Sequence, residues 1–121
     1  MFEIKFYKDR HGRVPVKDYL RELRNSKDER KRKQADKITE YIDILSVEGK
    51  AAGEPYIKHI EKELWELRPS SDRIFFLSWL GDSFVLLHQF RKTTQKTPRR
   101  EIEKAFREIA ELKEKGADEN G

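Results

Sequence analysis

The chain has 121 residues, which is enough for one domain with a hydrophobic core. Hydrophobic residues make up 36% and charged residues 41%, and the aromatic and β-branched content argues against intrinsic disorder. The absence of cysteine excludes a disulfide framework, a thiol nucleophile and a thiolate metal site, and the formal net charge of +4 favours an anionic partner. No apolar stretch is long enough to cross a bilayer and no apolar signal region opens the chain, so we expect a cytoplasmic protein with no membrane partner.

The first half of the chain predicts one strand followed by two helices. Apolar and charged residues alternate from Phe2 to Tyr7, which is typical of a half-buried strand. Pro15 suits the first position of a helix, and apolar residues follow it at helical spacing. Ser26 and Glu29 form a capping box that predicts the start of a second helix, and Gly49 predicts its end.

The second half begins with three short segments rich in aromatic and β-branched residues. They run from Glu63 to Arg68, from Arg73 to Leu80 and from Ser83 to Phe90, and each predicts a strand. The last two are separated by Gly81-Asp82, which predicts a two-residue hairpin turn of type II′. Trp65 and Trp79 are interpreted as core residues.

A final helix is predicted from Thr97-Pro98, which would cap it, to Gly116. Residues 117–121 form a polar tail that we expect to be disordered. Residues 1–116 are therefore predicted to form a single α+β domain. Its element order is β-α-α-β-β-β-α, with a mostly antiparallel sheet and helices packed on one face.

Strand pairing predicts where the polar residues of the sheet lie. Pairing across the two turns places Phe75 opposite both His88 and Glu66, and Arg73 opposite Phe90. The polar end of one face then collects five residues: Glu66, Arg68, Arg73, His88 and Phe90. The same register assigns Phe84 and Leu86 to this face, and Val85 and Leu87 to the other.

The charge at this end of the sheet favours a nucleic-acid backbone. Two arginines on facing positions repel each other unless something anionic lies between them. Between His88 and Arg107 there are seven basic residues and two acidic ones, which is typical of a phosphate-binding surface. The residues predicted to contact RNA are Glu66, Phe90, Arg91, Lys96, Arg99 and Arg100, with the Phe90 ring stacking on a base.

Plainer interpretations exist for the same residues. Taken alone, Arg68 and Arg73 are equally well explained as surface arginines paired with Glu66 and Asp72. Their predicted convergence with Arg91 and Lys92 favours a functional role. His88 suits either a hydrogen-bonded structural role or general acid–base chemistry. The run from Lys27 to Lys37 carries six basic and three acidic residues, and we interpret it as a solvated helix face.

A resemblance to a known family covers nearly the whole chain and is strongest from Lys58 to Arg107. Besides the helix from Glu101 to Arg107, three segments carry it. They are Glu63-Leu64-Trp65-Glu66-Leu67-Arg68, Arg73-Ile74-Phe75-Phe76, and the long run from Leu86 through Phe90-Arg91-Lys92-Thr93-Thr94-Gln95-Lys96-Thr97-Pro98. With these segments the chain resembles the HigB branch of the RelE/ParE toxin superfamily, also called phage-derived Gp49-like toxins. The last segment is the most specific of the three.

The resemblance implies a type II toxin that cleaves mRNA on the translating ribosome and needs no metal or other cofactor. It also implies a helix-turn-helix antitoxin of the HigA type, through which alone the toxin reaches operator DNA. By position, the family's functional residues fall on Arg68, Arg73, Arg91 and Lys92. Many relatives have two lysines at the last two positions. Arg91 cannot exchange protons as lysine does, which leaves the general acid open. We expect Arg68 and Arg73 to clamp the scissile phosphate, with Lys92 or His88 transferring protons. Glu66 is either the general base or a residue that only orients Arg68.

Two alternative functions are compatible with the same sequence. The first is a ParE-like toxin that poisons gyrase and needs no site for a scissile phosphate. The second is an RNA-binding module without catalytic activity, for which basic residues are more often spread along a groove than concentrated at one point.

Overall fold

The computed structural model describes residues 1–115, so the predicted helix end at Gly116 and the tail at 117–121 lie outside the described residues. None of the described helices is long and apolar enough to cross a membrane. The elements in chain order are β1 (Glu3–Phe6), α1 (Pro15–Arg24), α2 (Glu29–Glu48), a 3-10 turn (Gly49–Ala52), β2 (Ile57–Glu61), β3 (Leu64–Leu67), β4 (Asp72–Trp79), β5 (Ser83–Arg91) and α3 (Arg99–Lys115).

The described strands form one sheet in the order β1-β5-β4-β3-β2, and among them only β1 runs parallel to its neighbour. This confirms the predicted α+β class with a mostly antiparallel sheet. The element order needs a correction, because β2 is a fifth strand that the sequence analysis did not predict. Its apolar residues, Ile57 and Ile60, are three positions apart, and an irregularity between His59 and Glu61 breaks the alternation that identifies a strand.

The helices cover both faces of the sheet, so the prediction that they pack on one face is wrong. Helices α1 and α2 bury one face, where Ile38 packs in a core with Ile74 and Phe76. Helix α3 buries the other face, where Ile109 packs in a core with Phe75. Both faces of the central strands are apolar, and each therefore needs a covering layer.

The hairpin between β4 and β5 has a three-residue loop in place of the predicted two-residue turn. Trp79 pairs with Ser83, while Leu80 and Gly81 adopt φ angles of 28° and 72°. A bulge on β5 then compensates for the extra loop residue, because Ile74 pairs with Gln89 whereas Phe76 pairs with Leu86.

This compensation has opposite consequences at the two ends of the hairpin. At the polar end the predicted pairs, Arg73 with Phe90 and Glu66 with Phe75, are confirmed. Near the loop the predicted faces are reversed. Val85 and Leu87 lie in the α3 core, and Phe84 and Leu86 lie in the α1–α2 core. A one-residue slip moves every side chain to the opposite face, and the bulge confines that slip to one half of β5.

Two predicted helix starts differ in detail. The side chain of Asp28, not that of Ser26, caps α2 by accepting a hydrogen bond from the backbone N–H of Arg30 at 2.9 Å. Ser26 Oγ instead accepts from the backbone N–H of Asp28 at 3.0 Å. Helix α2 ends at Gly49 as predicted, where φ is 60°. Helix α3 begins at Arg99, and the Thr97 hydroxyl donates to another residue, described below.

Candidate functional site

A polar cleft of about 510 Å³ lies where β3 ends, β4 begins and the chain leaves β5. Its lining residues are Arg68, Ser70, Ser71, Arg73, Lys92, Thr93, Thr94 and Gln95. The pairing of the central strands brings Arg68 and Arg73 together across the turn, and Lys92 follows the end of the adjacent strand. The structure therefore brings together three of the cations that the sequence analysis selected.

Glu66 is buried against the two arginines of this cleft. Its side chain is only 1% exposed, and its Oε2 lies 3.4 Å from Arg68 Nε and 3.8 Å from Arg73 Nε. These distances fit ion pairs, although none of these three atoms has a hydrogen-bond partner among the described residues. Glu66 Oε1 accepts a hydrogen bond from the Thr97 hydroxyl at 3.3 Å. The protein thus supplies one anion between the facing arginines, and three cations against one carboxylate leave the cleft positive.

Arg73 is held rigidly at the edge of the cleft. Its Nη1 donates to the backbone carbonyls of Ser70 at 2.7 Å and Asp72 at 2.8 Å, and its side chain is 11% exposed. Burial lowers the pKa of Arg73, and the nearby Glu66 carboxylate works in the opposite direction. The guanidinium still carries its charge at neutral pH, so Arg73 is a preorganised cation.

Arg68 is less confined than Arg73. Its side chain is 24% exposed, and besides Glu66 it has a second carboxylate, that of Glu54, at 3.8 Å. Glu54 is well exposed, so this contact is weak and easily exchanged for another anion.

Lys92 completes the cleft from the segment that follows β5. Its backbone N–H donates to the carbonyl of Ser71 at 2.8 Å, which fixes the segment beside the turn. Burial is the main cause that lowers the pKa of the Lys92 ammonium. The Glu66 carboxylate opposes the shift, and the charges of Arg73 and Arg68 add to it. A lowered pKa makes this ammonium a better proton donor than an ordinary lysine.

The structure does not bring Arg91 into this cleft. Residues 90, 91 and 92 alternate across the sheet, so Arg91 lies on the side of α1 and α2. There its Nη1 donates to Asp72 Oδ2 at 3.2 Å. Asp72 is buried and also accepts from the Tyr19 hydroxyl and from Gln34 Nε2, both at 2.8 Å. The expected convergence of Arg91 with Arg68 and Arg73 is therefore not observed, whereas that of Lys92 is.

The structure also places His88 away from the cleft. Its side chain is 2% exposed, with Nδ1 at 2.6 Å from Glu108 Oε1 and Nε2 at 3.0 Å from Glu101 Oε1. Both ring nitrogens are thus engaged by carboxylates of α3, and the ring packs edge-on against Phe75. This is the structural role that the sequence analysis left open, and it leaves His88 no free nitrogen for an RNA proton.

The remaining predicted contact residues lie around the margin of the site. Phe90 is half-buried with its ring centroid 5.2 Å from that of Phe75, which leaves it largely a core residue. Arg99 is bound to Glu61 by two hydrogen bonds of 2.7 and 3.2 Å, so α3 is tied to β2. Arg100 and Lys96 are exposed, and Lys96 directly follows the cleft residues.

Several polar residues of the cleft were not selected from the sequence. Ser70 and Ser71 belong to the turn between β3 and β4, and Thr93, Thr94 and Gln95 follow Lys92. Their only signal is position, because each lies within three residues of a cleft cation along the chain. They add hydroxyl, amide and backbone groups that can bind the oxygen atoms of a phosphate.

Comparison with known proteins supports the resemblance drawn from the sequence. Residues 21–110 match the family described as Phage derived protein Gp49-like (DUF891), and this range includes every residue that lines the cleft. A comparison with curated proteins gave no significant match. Because the family match spans well over half of the chain, the chain belongs to the phage-derived Gp49-like family, which is associated with RelE-like toxins of toxin–antitoxin systems.

Proposed function

We propose that this chain is the toxin of a type II toxin–antitoxin system and cleaves mRNA on the translating ribosome without a metal ion. The observation that carries the proposal is the cluster of Arg68, Arg73 and Lys92 in one cleft with Glu66 buried against the arginines. Three cations around one carboxylate leave room and charge for a phosphodiester.

The reaction that suits this cleft is an in-line attack within the RNA. The 2′-oxygen attacks the adjacent phosphorus, its proton passes to water, and the bond from phosphorus to the 5′-oxygen breaks. Arg68 and Arg73 stabilise the negative charge that develops on the phosphoryl oxygens. Lys92 donates a proton to the departing 5′-oxygen. The products are a 2′,3′-cyclic phosphate and a free 5′-hydroxyl.

Glu66 and His88 have supporting roles in this proposal. The carboxylate of Glu66 is buried and paired with both arginines, so it orients them and does not itself act as a base. His88 is engaged by Glu101 and Glu108 and anchors α3 to the sheet. A limited set of proton-transfer groups suffices if the ribosome holds the message in the in-line geometry.

The proposed partners follow from the toxin assignment. They are the ribosome with its bound message, and a helix-turn-helix antitoxin of the HigA type that links the toxin to operator DNA. The antitoxin supplies a readout of folding that does not depend on catalysis, because a folded but inactive variant still binds it.

Primer extension on messages from cells induced to express the chain tests the proposal. We expect cleavage sites in wild-type samples, and a loss of about 100-fold or more for Arg73→Ala, comparable to the removal of one oxyanion-stabilising donor. Arg21→Ala is the matched control, because Arg21 is an exposed arginine of α1 outside the cleft. Thermal unfolding and antitoxin binding verify that both variants fold. A well-folded Arg73→Ala that remains fully toxic contradicts the proposal.

The same samples distinguish the alternative functions. Inhibition of supercoiling by gyrase, with no message cleavage, identifies a ParE-like toxin. A non-catalytic module is identified by two results together. The chain binds RNA without cleaving it, and the Lys92→Met variant inhibits growth as strongly as wild type does.

A further inference from the structure

A second groove, of about 320 Å³, lies on the other side of the turn that separates β3 from β4. It is lined by Arg30, Lys33, Gln34, Lys37, Pro69, Ser70, Asp72 and Arg91. Ser70 lines both this groove and the cleft, so the two cavities meet at the turn. The groove also contains Arg91, a predicted RNA contact that lies outside the cleft, and three cations of the run that we interpreted as a solvated helix face.

The electrostatic balance of this groove is strongly positive. Four of its described lining residues are cations, and Asp72 is its one carboxylate among them. The side chain of Asp72 is 1% exposed and already accepts hydrogen bonds from Tyr19, Gln34 and Arg91. Its charge is therefore largely satisfied within the protein, whereas the cations face solvent.

The cations of α2 are available to a ligand. Arg30, Lys33 and Lys37 each contact an acidic neighbour on the same segment, at distances of 3.4 to 3.7 Å. All three contacts are solvent-exposed, and such pairs contribute little to stability. The side chains can therefore turn toward a phosphate at small cost.

We propose that this groove binds the backbone of the RNA strand whose scissile phosphate occupies the cleft, with the strand crossing between the two cavities at Ser70. The substrate in this inference rests on the proposed function. None of the described residues that line the groove is aromatic, so base stacking has no platform there. Contacts to phosphates made by Arg91, Lys33 and Lys37 position the strand and are independent of base sequence.

Binding of 2′-O-methyl RNA tests this inference, because this RNA has no free 2′-hydroxyl and binding is measured apart from cleavage. The probes are single strands of about 4 and about 16 nucleotides, spanning the usual range of single-strand site sizes, and a hairpin duplex. Fluorescence anisotropy over a range of salt concentrations compares wild type with the double variant Lys33→Gln, Lys37→Gln. The control is Lys27→Gln, Lys31→Gln, which removes two exposed cations of the same run that do not line the groove.

For the long single strand we expect the groove variant to bind more weakly, with a salt slope smaller by about 1.4 because two phosphate contacts are lost. The short strand fits in the cleft alone, so we expect the groove variant to bind it with the affinity of wild type. The control variant should have the wild-type salt slope for both strand lengths. The inference is wrong if the groove variant binds the long strand as tightly as wild type does, if its affinity for both lengths falls equally, or if only its affinity for the hairpin changes. It is also wrong if the control variant loses as much affinity for the long strand as the groove variant does. None of these probes can be cleaved, so the binding assay tests the groove independently of the ribosomal cleavage assay. A negative result in one assay is therefore distinguished from a negative result in the other.

Discussion

Replacement of Glu66 by glutamine is the most direct perturbation of the cleft. The substitution keeps the size of the side chain and an acceptor for the Thr97 hydroxyl, but it removes the carboxylate charge between Arg68 and Arg73. The two guanidinium groups then face each other, and Lys92, with no anion between them. We therefore expect a less stable protein that has a higher affinity for anions.

The magnitude follows from the two ion-pair distances. At an effective dielectric constant of about 20, charges separated by 3.4 and 3.8 Å attract by about 5 and about 4 kcal/mol. Desolvation of the groups already offsets much of this attraction, and removal of one partner of a buried pair costs about 3–5 kcal/mol. Arg68 is a quarter exposed and can turn toward water, so we expect the free energy of unfolding to fall by about 3 kcal/mol.

Urea and thermal unfolding of Glu66→Gln measure this loss. A loss of about 3 kcal/mol corresponds to a Tm about 10 °C lower in a domain of this size. Glu61→Gln is the matched control, because Glu61 also pairs with an arginine, Arg99, but at the surface of the protein. We expect a clearly smaller loss for the control, since exposed ion pairs contribute little.

Inorganic phosphate separates loss of charge from loss of packing. A ligand that binds only the folded state raises the free energy of unfolding. For a site with a Kd of about 1 mM, about 10 mM phosphate raises it by about 1.4 kcal/mol. We expect phosphate to raise the Tm of Glu66→Gln more than that of wild type or Glu61→Gln. Equal losses in the two variants, together with an equal response to phosphate, would refute the assignment of Glu66 as the counter-ion of the cleft.

Two further predictions concern the buried polar contacts outside the cleft. His88→Leu removes the ring that engages Glu101 and Glu108, and we expect urea unfolding to show a loss of about 2–3 kcal/mol, the cost of leaving buried acceptors unpaired. At a temperature at which this variant is folded, we expect it to cleave message on the ribosome as wild type does. A variant that is folded but inactive would show that His88 takes part directly in cleavage. Burial, with the bond to Asp72, raises the pKa of Tyr19 from 10.0 to about 12, so its contribution to stability is complete below pH 10 and is lost as the pH rises through 12. Tyr19→Phe should therefore show a smaller fall in stability between about pH 9 and pH 11 than wild type does, and an identical fall in the two proteins would contradict this linkage.

Much of the fold was readable from local patterns. The Pro15 helix start, the Gly49 helix end and the α+β class follow from spacing and from residues with special backbone preferences. Strand β2 was missed because an irregular edge strand lacks the alternation on which such prediction depends. The loop length of the β4–β5 hairpin was also missed, because loop and bulge compensate each other over several residues and neither is apparent without the other.

The candidate site, like the fold, was predicted from the sequence only in part. Residue type and strand pairing alone determined that Arg68 and Arg73 lie together beside Glu66, because antiparallel register carries positional information along neighbouring strands. The contacts of His88 and Arg91 were decided by the tertiary structure alone. The carboxylates that engage His88 come from α3, and Asp72 pairs with Arg91 on the face covered by α1 and α2. Helix packing sets these contacts between residues distant in the chain, and no local pattern encodes which faces the helices cover.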